Sequence, residues 1–478
     1  MGASPALLAA EIAAKLRSPL LVLAEDPRHA DQLEAEIRFF AGDSLSVLHF
    51  VEWETLPWDS FSPHQDIVSD RLRVLRALPD LERGIVIASA PALLQRLPPT
   101  HYVAERSLEL RSGQTLDRNG FIQRLADAGY LRVPQVTEHG EYAVRGSLID
   151  LFPMGNSAPL RIDFFDDEIE TIRSFAPDTQ LSGDTLPAID ILPAREVPMD
   201  DAAIKAFRSR YRERFEGQPA KSKVYREISE GIAHGGIEYY LPLFFPTTAS
   251  LLDYLPAECP VFAPLGIADI LTQADEEIRE RHQLANLDPE RPILTAAETF
   301  HDVADVMSAL EQRPGGEYAS RKLGDAPATV DLATRLPPAL RIEARYEDAA
   351  AQLMQFLGSF DGRVLFTTDS AGRREQIVEL LSGRGLDLVR VDGWHEFLEA
   401  QHRIGVAIAP VDNGCILQDA RLALVSEQQL FGERVRPKKR KRYNDRDPET
   451  IIRQLSDLES GSPVVHIDYG VGRYLGLV

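Results

Sequence analysis

The sequence predicts a multidomain α/β protein, and three features of its pattern support that class. Its 478 residues exceed what one hydrophobic core supports, so three or four domains are expected. Continuous apolar runs alternate with amphipathic segments before about residue 100 and again after about residue 340, which is typical of strands buried in parallel sheets. Between them, a stretch of alternating apolar and polar residues is typical of an antiparallel sheet with one buried face.

The first part of the chain predicts a parallel α/β unit. Pro19–Ala24 and Gly84–Ala88 are uninterrupted apolar runs, and short runs of this kind fit buried parallel strands. Leu33 and Ile37 lie on one side of a predicted helix at Pro27–Phe40. The other elements predicted here are helices at about residues 5–17, 66–78 and 90–97 and a strand at Leu45–Phe50.

The composition excludes several classes of protein. A net charge of -22 opposes the coating of duplex DNA, so any DNA binding by these residues is expected to be weak. Cys259 and Cys415 are the only cysteines, and they give neither a disulfide framework nor a zinc spacing. No run of 18 apolar residues predicts a membrane span, and the first residues lack the basic segment of a signal peptide, so a cytoplasmic location is expected.

The middle of the chain, about residues 102–192, predicts an α+β unit. Phe164 and Phe165 are adjacent, so in a regular strand their rings point to opposite faces of the sheet. Two interpretations are open: Phe165 faces outward beside Arg161, as in protein–protein hot spots, or both rings belong to the core. The predicted elements are strands at about 107–110, 141–152, 160–165, 168–175 and 188–192, a helix at about 115–128 and a polar loop at about 176–184.

Two long motifs of this middle unit carry a family resemblance. GEYAVRGSLIDLFP and RIDFFDDEIETIRSF resemble the UvrA-binding domain that UvrB shares with the bacterial transcription-repair coupling factors, the Mfd proteins. The run WETLPWDSFSPHQD at Trp53–Asp66 is similar to the coupling factors rather than to UvrB, and the resemblance covers essentially the whole chain. By resemblance, Arg145, Arg161 and Phe165 are the residues expected to contact UvrA.

The resemblance also implies an arrangement of domains. GIEYYLPLFF at residues 236–245 resembles the point where the UvrB chain returns to its first domain. A degenerate motor-like parallel α/β domain is therefore expected to be split by the inserted α+β UvrA-binding domain and followed by a second small α/β domain. The expected boundaries are 1–101 and 193–321 for the split domain, 102–192 for the UvrA-binding domain, 322–433 for the small α/β domain, 434–460 for a basic linker and short helix, and 461–478 for the start of an RNA-polymerase-interacting domain.

The chemistry of a motor is missing from these residues. The phosphate-binding motif G-x-x-x-x-G-K-[ST] does not occur, and Met1–Ser4 stands where it would lie. Pro264, Leu265 and Gly266 follow a predicted strand at Pro260–Ala263, where a motor would carry an acidic metal-binding pair. No catalytic, metal-binding or cofactor-binding residue and no ATP turnover are expected. The resemblance implies that ATP and Mg²⁺ belong to a motor C-terminal to these residues.

The aromatic run at Trp53, Trp58 and Phe61 allows two interpretations. The three rings could form a base-stacking platform for nucleic acid, or they could pack together where a loop crosses the domain. Glu54 and Asp59 lie among them and would repel a phosphate backbone, which favours packing. The loop is also too short for the damage-probing hairpin that UvrB carries at this place.

The last part of the chain predicts a second α/β unit and a basic segment. Pro314–Pro338 is weakly periodic and is predicted to be an exposed linker. Arg434–Arg442 holds seven basic residues in nine, which is consistent with a nucleic-acid-binding tail or with a solvated linker. Gly470–Gly472 has no βαβ unit around it, so tight turns are expected. Between residues 193 and 313, helices are predicted at about 200–215 and 269–286. In the last part of the chain, helices are predicted at about 346–360, 371–381, 394–401 and 450–460, and strands at about 363–368, 386–391, 405–409 and 422–426.

The resemblance implies a function in transcription-coupled repair. The chain would recruit UvrA, and with it nucleotide excision repair, to a stalled RNA polymerase. By the same resemblance, the full-length protein would be an ATP-dependent translocase on duplex DNA. Two other functions stay open: a UvrB-like ATP-dependent damage-binding helicase, which the missing phosphate-binding motif opposes, and a polymerase-binding protein unconnected with repair.

Overall fold

The structure is a computed structural model, and it describes most of the chain. The predicted linker and helix at residues 434–460 lie outside the described part. The described residues are 2–215, 219–285, 291–321, 329–342, 350–400 and 402–432, together with the backbone of 463–466 and 470–473.

The strands form three larger sheets and two separate pairs. In chain order they are β1 (Pro19–Ala24), β2 (Val47–Phe50), β3 (Gly84–Ser89), β4 (Leu108–Arg111), β5 (Leu131–Arg132), β6 (Glu141–Arg145), β7 (Leu148–Leu151), β8 (Leu160–Phe165), β9 (Glu168–Phe175), β10 (Ser182–Thr185), β11 (Ala188–Ile191), β12 (Val261–Pro264), β13 (Gly315–Tyr318), β14 (Thr334–Arg335), β15 (Arg363–Thr368), β16 (Val389–Arg390), β17 (Ile404–Ile408), β18 (Cys415–Leu417), β19 (Leu422–Ser426), β20 (Pro463–His466) and β21 (Gly470–Arg473).

The helices pack on both faces of the parallel strands. In chain order they are α1 (Ser4–Lys15), α2 (Pro27–Ala41), α3 (Gln65–Ala77), α4 (Tyr102–Arg106), α5 (Arg118–Asp127), α6 (Asp201–Arg214), α7 (Lys223–Ser229), α8 (Ile267–Ala285), α9 (Ala296–Thr299), α10 (Val303–Glu311), α11 (Ala351–Ser359), α12 (Ala371–Ser382), α13 (Trp394–Glu399) and α14 (Glu427–Phe431). Short 3₁₀ helices lie at Gly42–Ser44, Leu78–Asp80, Pro91–Leu94, Pro219–Lys221, Ile237–Leu243 and Leu251–Tyr254.

The first sheet has five parallel strands in the order β13-β12-β1-β3-β2. Every residue of β1 and β3 is buried, as their continuous apolar runs predict. The sheet joins strands from residues 19–89 with strands from residues 261–318. In the predicted linker Pro314–Pro338, the strands β13 and β14 contradict the prediction of irregular structure, although most of their residues are exposed, and residues 322–328 lie outside the described part. These two strands are short and carry little β-forming sequence, so only pairing with β12 and β18 identifies them.

The second sheet has six strands in the order β10-β9-β8-β7-β6-β5, all antiparallel except for the β5–β6 pair. The prediction of one strand over residues 141–152 is wrong, because the chain reverses at Gly146 and Ser147 between β6 and β7. Gly146 has φ +61°, a conformation that glycine adopts without strain. Parity counted through such a turn assigns the wrong face to every later residue of the segment. The predicted polar loop at 176–184 likewise ends in the edge strand β10.

The third sheet is mixed, in the order β14-β18-β19-β15-β17-β16. Its β19, β15, β17 and β16 are parallel, whereas β14 and β18 are antiparallel to their neighbours. The tight turns expected at Gly470–Gly472 are not found there, because this segment is β21 and pairs antiparallel with β20. The separate β4–β11 pair is also antiparallel.

Two large hydrophobic clusters connect the sheets. One lies on the α3 face of the first sheet and continues beneath the six-stranded sheet. The other joins α1 and α2 to the third sheet, where Trp394 meets Phe40 edge-on with ring centroids 5.3 Å apart. None of the helices in the described part of the chain combines the length and the apolar character that crossing a bilayer requires.

Candidate protein-binding site

The two faces of the six-stranded sheet differ in what covers them. Its inner face carries Ile149, Ile162 and Ile172, which lie opposite one another on β7, β8 and β9 and are buried. Phe164 belongs to this face and packs against Phe121 of α5, with ring centroids 6.4 Å apart. The inner face is therefore core, and any binding surface of this sheet must lie on its outer face.

Phe165 is the most exposed large apolar side chain of the sheet strands. Its exposed fraction is 70%, whereas that of Phe164 is 4%. The turn that follows begins with Asp166 at φ 53°, which reverses the chain immediately after the ring. Of the two interpretations of this pair, the one with Phe165 outward and Phe164 in the core agrees with these exposures.

Arg161 lies on the same face of β8 as Phe165, but its guanidinium is already engaged. Its Nε and Nη2 donate to Oδ1 and Oδ2 of Asp150 at 2.7 and 3.0 Å, and these hydrogen bonds raise the pKa of Arg161. Its Nη1 donates to the Gln180 carbonyl and to Ser182 Oγ at 3.3 and 3.2 Å. Only 19% of the side chain is exposed. The fork of Arg161 is therefore already occupied by Asp150.

Arg145 is the more accessible arginine, with 43% of its side chain exposed. Its Nη2 donates to the carbonyl of Pro134 at 3.1 Å, and its Nη1 lies 3.9 Å from Asp150 Oδ2. The single strand predicted over residues 141–152 would put Arg145 on the strand next to Arg161, and this is wrong, because β7 lies between β6 and β8. The missed reversal at Gly146 is the reason.

Arg145, Arg161 and Phe165, called the outer patch below, occupy one face of the sheet. Arg161 and Phe165 are four residues apart along β8, which corresponds to roughly 13 Å. Arg145 and Arg161 are two strands apart, which corresponds to roughly 10 Å. These spacings fit an elongated contact surface.

Part of the outer face is covered and the remainder is open. Near Arg161 a small cluster of Val136, Ala143, Phe152 and Phe175 is buried. The guanidinium of Arg161 lies 4.9 Å from the centre of the Phe175 ring, within range of a cation–π contact. This cover holds Arg161 in place from the side away from Phe165.

The start of α1, where a motor would bind nucleotide, lies against another segment of the chain. The backbone N–H of Ala3, at the start of α1, donates to the carbonyl of Asn413 at 2.9 Å. Gly2 lies so close to Gly414 that an added Cβ would be 2.1 Å from the Gly414 carbonyl oxygen. A phosphate at this helix end would meet that chain segment instead of open amides. Among the described residues, no group of three or more His, Cys, Asp or Glu side chains could hold a metal ion.

The aromatic run after β2 is mostly core. Trp53 and Trp58 are buried, and both pack against Tyr239, with ring centroids 5.4 and 6.3 Å away. Trp58 also meets Phe300 edge-on at 5.7 Å. Packing is therefore the correct interpretation for both tryptophans, whereas Phe61 is 58% exposed.

Sequence reasoning missed Asp150, the residue that connects the two arginines. A signal was available, since Asp150 stands between Ile149 and Leu151 in an apolar run. A charged residue in such a place is seldom buried without a partner. Because the reversal at Gly146 was missed, the strand was assigned the wrong parity and the position of Asp150 beside the arginines could not be anticipated.

Comparison with known proteins places two segments in known domain families. The UvrB interaction domain matches residues 108–197, which include the outer patch, and the domain described as MFD, D3 domain, matches residues 356–430. The transcription-repair-coupling factor of Escherichia coli K12 is 38% identical over 480 residues, covering 100% of this chain and 41% of the relative.

Two further relatives carry the same name. The transcription-repair-coupling factor of Haemophilus influenzae is 37% identical over 478 residues, covering 99% of this chain and 41% of its own length. That of Bacillus subtilis is 25% identical over 499 residues, covering 100% of this chain and 41% of its own length. The chain thus spans about two fifths of the curated relatives that it matches.

Proposed function

We propose that this chain is part of a transcription-repair-coupling factor and that it binds UvrA. In support, it carries a UvrB interaction domain and an MFD D3 domain, and it aligns along its length with transcription-repair-coupling factors. The binding surface is the outer patch of the six-stranded sheet. The observation that carries this proposal is Phe165, a large apolar ring that is 70% exposed within the UvrB interaction domain. An exposed aromatic on the same sheet face as arginines has the composition of a hot spot.

The proposed role of the whole protein follows from this binding. It recruits UvrA, and with it nucleotide excision repair, to a stalled RNA polymerase in the cytoplasm. RNA polymerase is bound through the domain that begins near residue 461. Duplex DNA, ATP and Mg²⁺ are bound by a motor outside these 478 residues, as in an ATP-dependent translocase.

The proposed architecture is a degenerate motor-like α/β domain, 1–101 with 193–321, split by the UvrA-binding domain at 102–192. The pairing of β12 with β1 in one parallel sheet supports the split. The small α/β domain is 322–433, the basic segment follows within 434–460, and the polymerase-interacting domain begins near 461.

We propose further that these residues need no cofactor and do not hydrolyse ATP. The Asn413 carbonyl against the start of α1 supports this proposal, as does Pro264-Leu265-Gly266 in place of an acidic box. The same two features oppose a UvrB-like helicase. Duplex DNA is bound weakly by the chain alone, because a net charge of -22 repels phosphates.

The UvrA proposal is tested by measuring the Kd of purified UvrA for the 478-residue chain and its variants. Phe165→Ala is expected to weaken binding by roughly 30- to 1000-fold, as truncation of a hot-spot residue does. Arg145→Glu is expected to cost more than Arg145→Ala, because it adds repulsion to a lost contact. Phe165→Ala should leave the melting temperature nearly unchanged, since the ring is exposed.

Phe164→Ala is the matched control, because it removes the adjacent ring from the core. It is expected to lower the free energy of unfolding by about 3–5 kcal/mol. Tight UvrA binding by both Phe165→Ala and Arg145→Glu would contradict the proposal. Loss of folding in Phe165→Ala, with Phe164→Ala losing only UvrA binding, would mean that the two faces are reversed.

A further inference from the structure

We infer that Asp150 is a positioning residue for UvrA binding, because the guanidiniums of both arginines in the outer patch converge on its carboxylate. Arg161 donates to Oδ1 and Oδ2 at 2.7 and 3.0 Å, and Arg145 Nη1 lies 3.9 Å from Oδ2. Asp150 itself is fully buried. The inference rests on the proposed function and adds to it a residue that acts through the arginines without touching the partner.

The sheet places Asp150 midway between the two arginines. Asp150 lies on β7, directly opposite Arg161 of β8 on one side and Ala143 of β6 on the other. Arg145 is two residues from Ala143 on β6 and therefore points to the same face. Directly opposite and diagonal positions are the two places from which side chains of neighbouring strands reach each other. One carboxylate on β7 can therefore hold an arginine from each side.

The burial of Asp150 keeps it paired with Arg161. A carboxylate without solvent is costly unless it is paired and hydrogen-bonded, so Asp150 stays tied to Arg161. The remaining atoms of Arg161 are fixed by Gln180, Ser182 and the Phe175 ring. A long side chain that is already ordered loses less freedom when a partner binds. Asp150 thus prepares the patch for binding before UvrA arrives.

The same geometry defines what the patch offers to its partner. The fork of Arg161 is occupied by Asp150, so Arg161 presents an ordered, partly neutralised guanidinium instead of an open bidentate site. Arg145 is the more exposed of the two arginines and approaches Asp150 only at 3.9 Å. A partner carboxylate would pair with Arg145, while Arg161 supplies a fixed polar side chain on the same face as Phe165.

The experiment measures the Kd of purified UvrA for the 478-residue chain and for folded variants, with a cooperative melt as the test of folding. Asp150→Asn keeps the shape of the side chain and removes its charge. It is expected to weaken UvrA binding about tenfold, as loss of one polar hot-spot contact does. Asp190→Asn is the matched control. Asp190 lies on β11, outside the six-stranded sheet, and pairs with Arg76 of α3 at 3.4 Å. The Kd of UvrA for this variant should stay within about twofold of the wild-type value.

A double-mutant cycle separates positioning from a general loss of structure. If Asp150 acts through Arg161, Arg161→Lys combined with Asp150→Asn costs little more than either change alone. Phe165→Ala combined with Asp150→Asn is expected to multiply the two losses, because Phe165 has no part in the pair. Full multiplication of the Asp150→Asn and Arg161→Lys losses would overturn the inference.

The failure of this inference is distinguishable from failure of the proposed function. Wild-type binding by Asp150→Asn, together with loss by Phe165→Ala, removes Asp150 from the site and leaves the UvrA proposal intact. If Asp150→Asn does not melt cooperatively, Arg161→Lys decides alone, because it keeps both charges and removes the two parallel hydrogen bonds. Arg161→Lys is expected to bind about tenfold more weakly, and unchanged binding would overturn the inference.

Discussion

Arg71 and Arg161 form the same kind of ion pair in two different settings. Arg71, on α3, donates to both carboxylate oxygens of Glu196 at 2.5 and 3.1 Å, and both side chains are buried. Its Nη1 donates to the Val51 carbonyl and to Gln95 at 2.7 and 2.9 Å. Because the Arg71 side chain is fully buried, another molecule cannot reach this guanidinium.

The Arg161–Asp150 pair has the same bidentate geometry, but only its carboxylate is fully buried. The guanidinium lies at the edge of an open sheet face, beside Arg145 and along the strand from Phe165. The difference indicates what each pair does. A pair with both partners inside joins α3 to the segment after β11, whereas a pair at the rim orders a side chain that a partner can reach.

The largest expected effect is on the interior pair. Arg71→Ala would leave the Glu196 carboxylate buried, and among the described residues the remaining side-chain donor to it would be Trp53 Nε1, at 3.2 Å. The free energy of unfolding, measured by urea denaturation, is expected to fall by about 3–5 kcal/mol. Arg76→Ala on the same helix is the control, since Arg76 pairs with exposed Asp80, and should cost no more than about 1 kcal/mol. Equal losses for the two variants would remove the distinction between interior and surface pairs.

A smaller effect is expected at the rim pair. Arg161→Ala would remove both hydrogen bonds from buried Asp150, and about 1–3 kcal/mol of unfolding free energy should be lost in the same assay. Arg145→Ala is expected to change the free energy of unfolding by no more than about 0.5 kcal/mol, because its side chain is more exposed. If Arg145→Ala lowered the free energy of unfolding as much as Arg161→Ala does, Arg145 would also stabilise the fold.

The smallest effect is expected at a third pair, Arg214 with Glu298. The hydrogen bond from Arg214 lowers the pKa of Glu298 to about 2, from the usual 4.5. The contribution is therefore present above about pH 4.5 and is lost as the pH falls toward 2. About a third of each side chain is exposed, so solvent screening keeps the effect below about 1 kcal/mol.

The measurement for this third pair compares unfolding free energies of the wild type and Glu298→Gln across pH. Their difference should be constant above about pH 5 and should shrink as Glu298 is protonated. A difference that grows toward low pH would have the wrong sign for a carboxyl with a lowered pKa. Glu276→Gln, which changes an exposed carboxyl on α8, is the control.

Much of the fold could be predicted because the first and third sheets are built from residues with a strong local signal. Pro19–Ala24 and Gly84–Ala88 are apolar throughout, and both became fully buried strands. The helix predicted at Pro27–Phe40 is α2, which begins at a cap made by Asp26 accepting from the His29 N–H at 2.8 Å. Elements with weak sequence signals, such as β13 at Gly315–Tyr318, were missed because their strand partners define them.

The members of the candidate site stay a prediction from resemblance, and the sequence did not predict their geometry. Resemblance named Arg145, Arg161 and Phe165, and parity allowed Phe165 to be the outward ring. The hairpin at Gly146 was missed, because a single glycine in a strand pattern is as consistent with a bulge as with a reversal. Without that reversal, Asp150 cannot be placed beside either arginine.

The sequence by itself determined which segments are buried strands and helices, and that Phe164 and Phe165 point opposite ways. These properties depend on the order of residues along one segment, where spacing alone sets direction. Only the tertiary structure decided that Asp150 holds Arg161 and approaches Arg145, that Asn413 lies against the start of α1, and that β12 pairs with β1. The reason is physical: strand register and ion pairing are fixed by the burial of groups distant in sequence, and no local pattern records which distant group will be there.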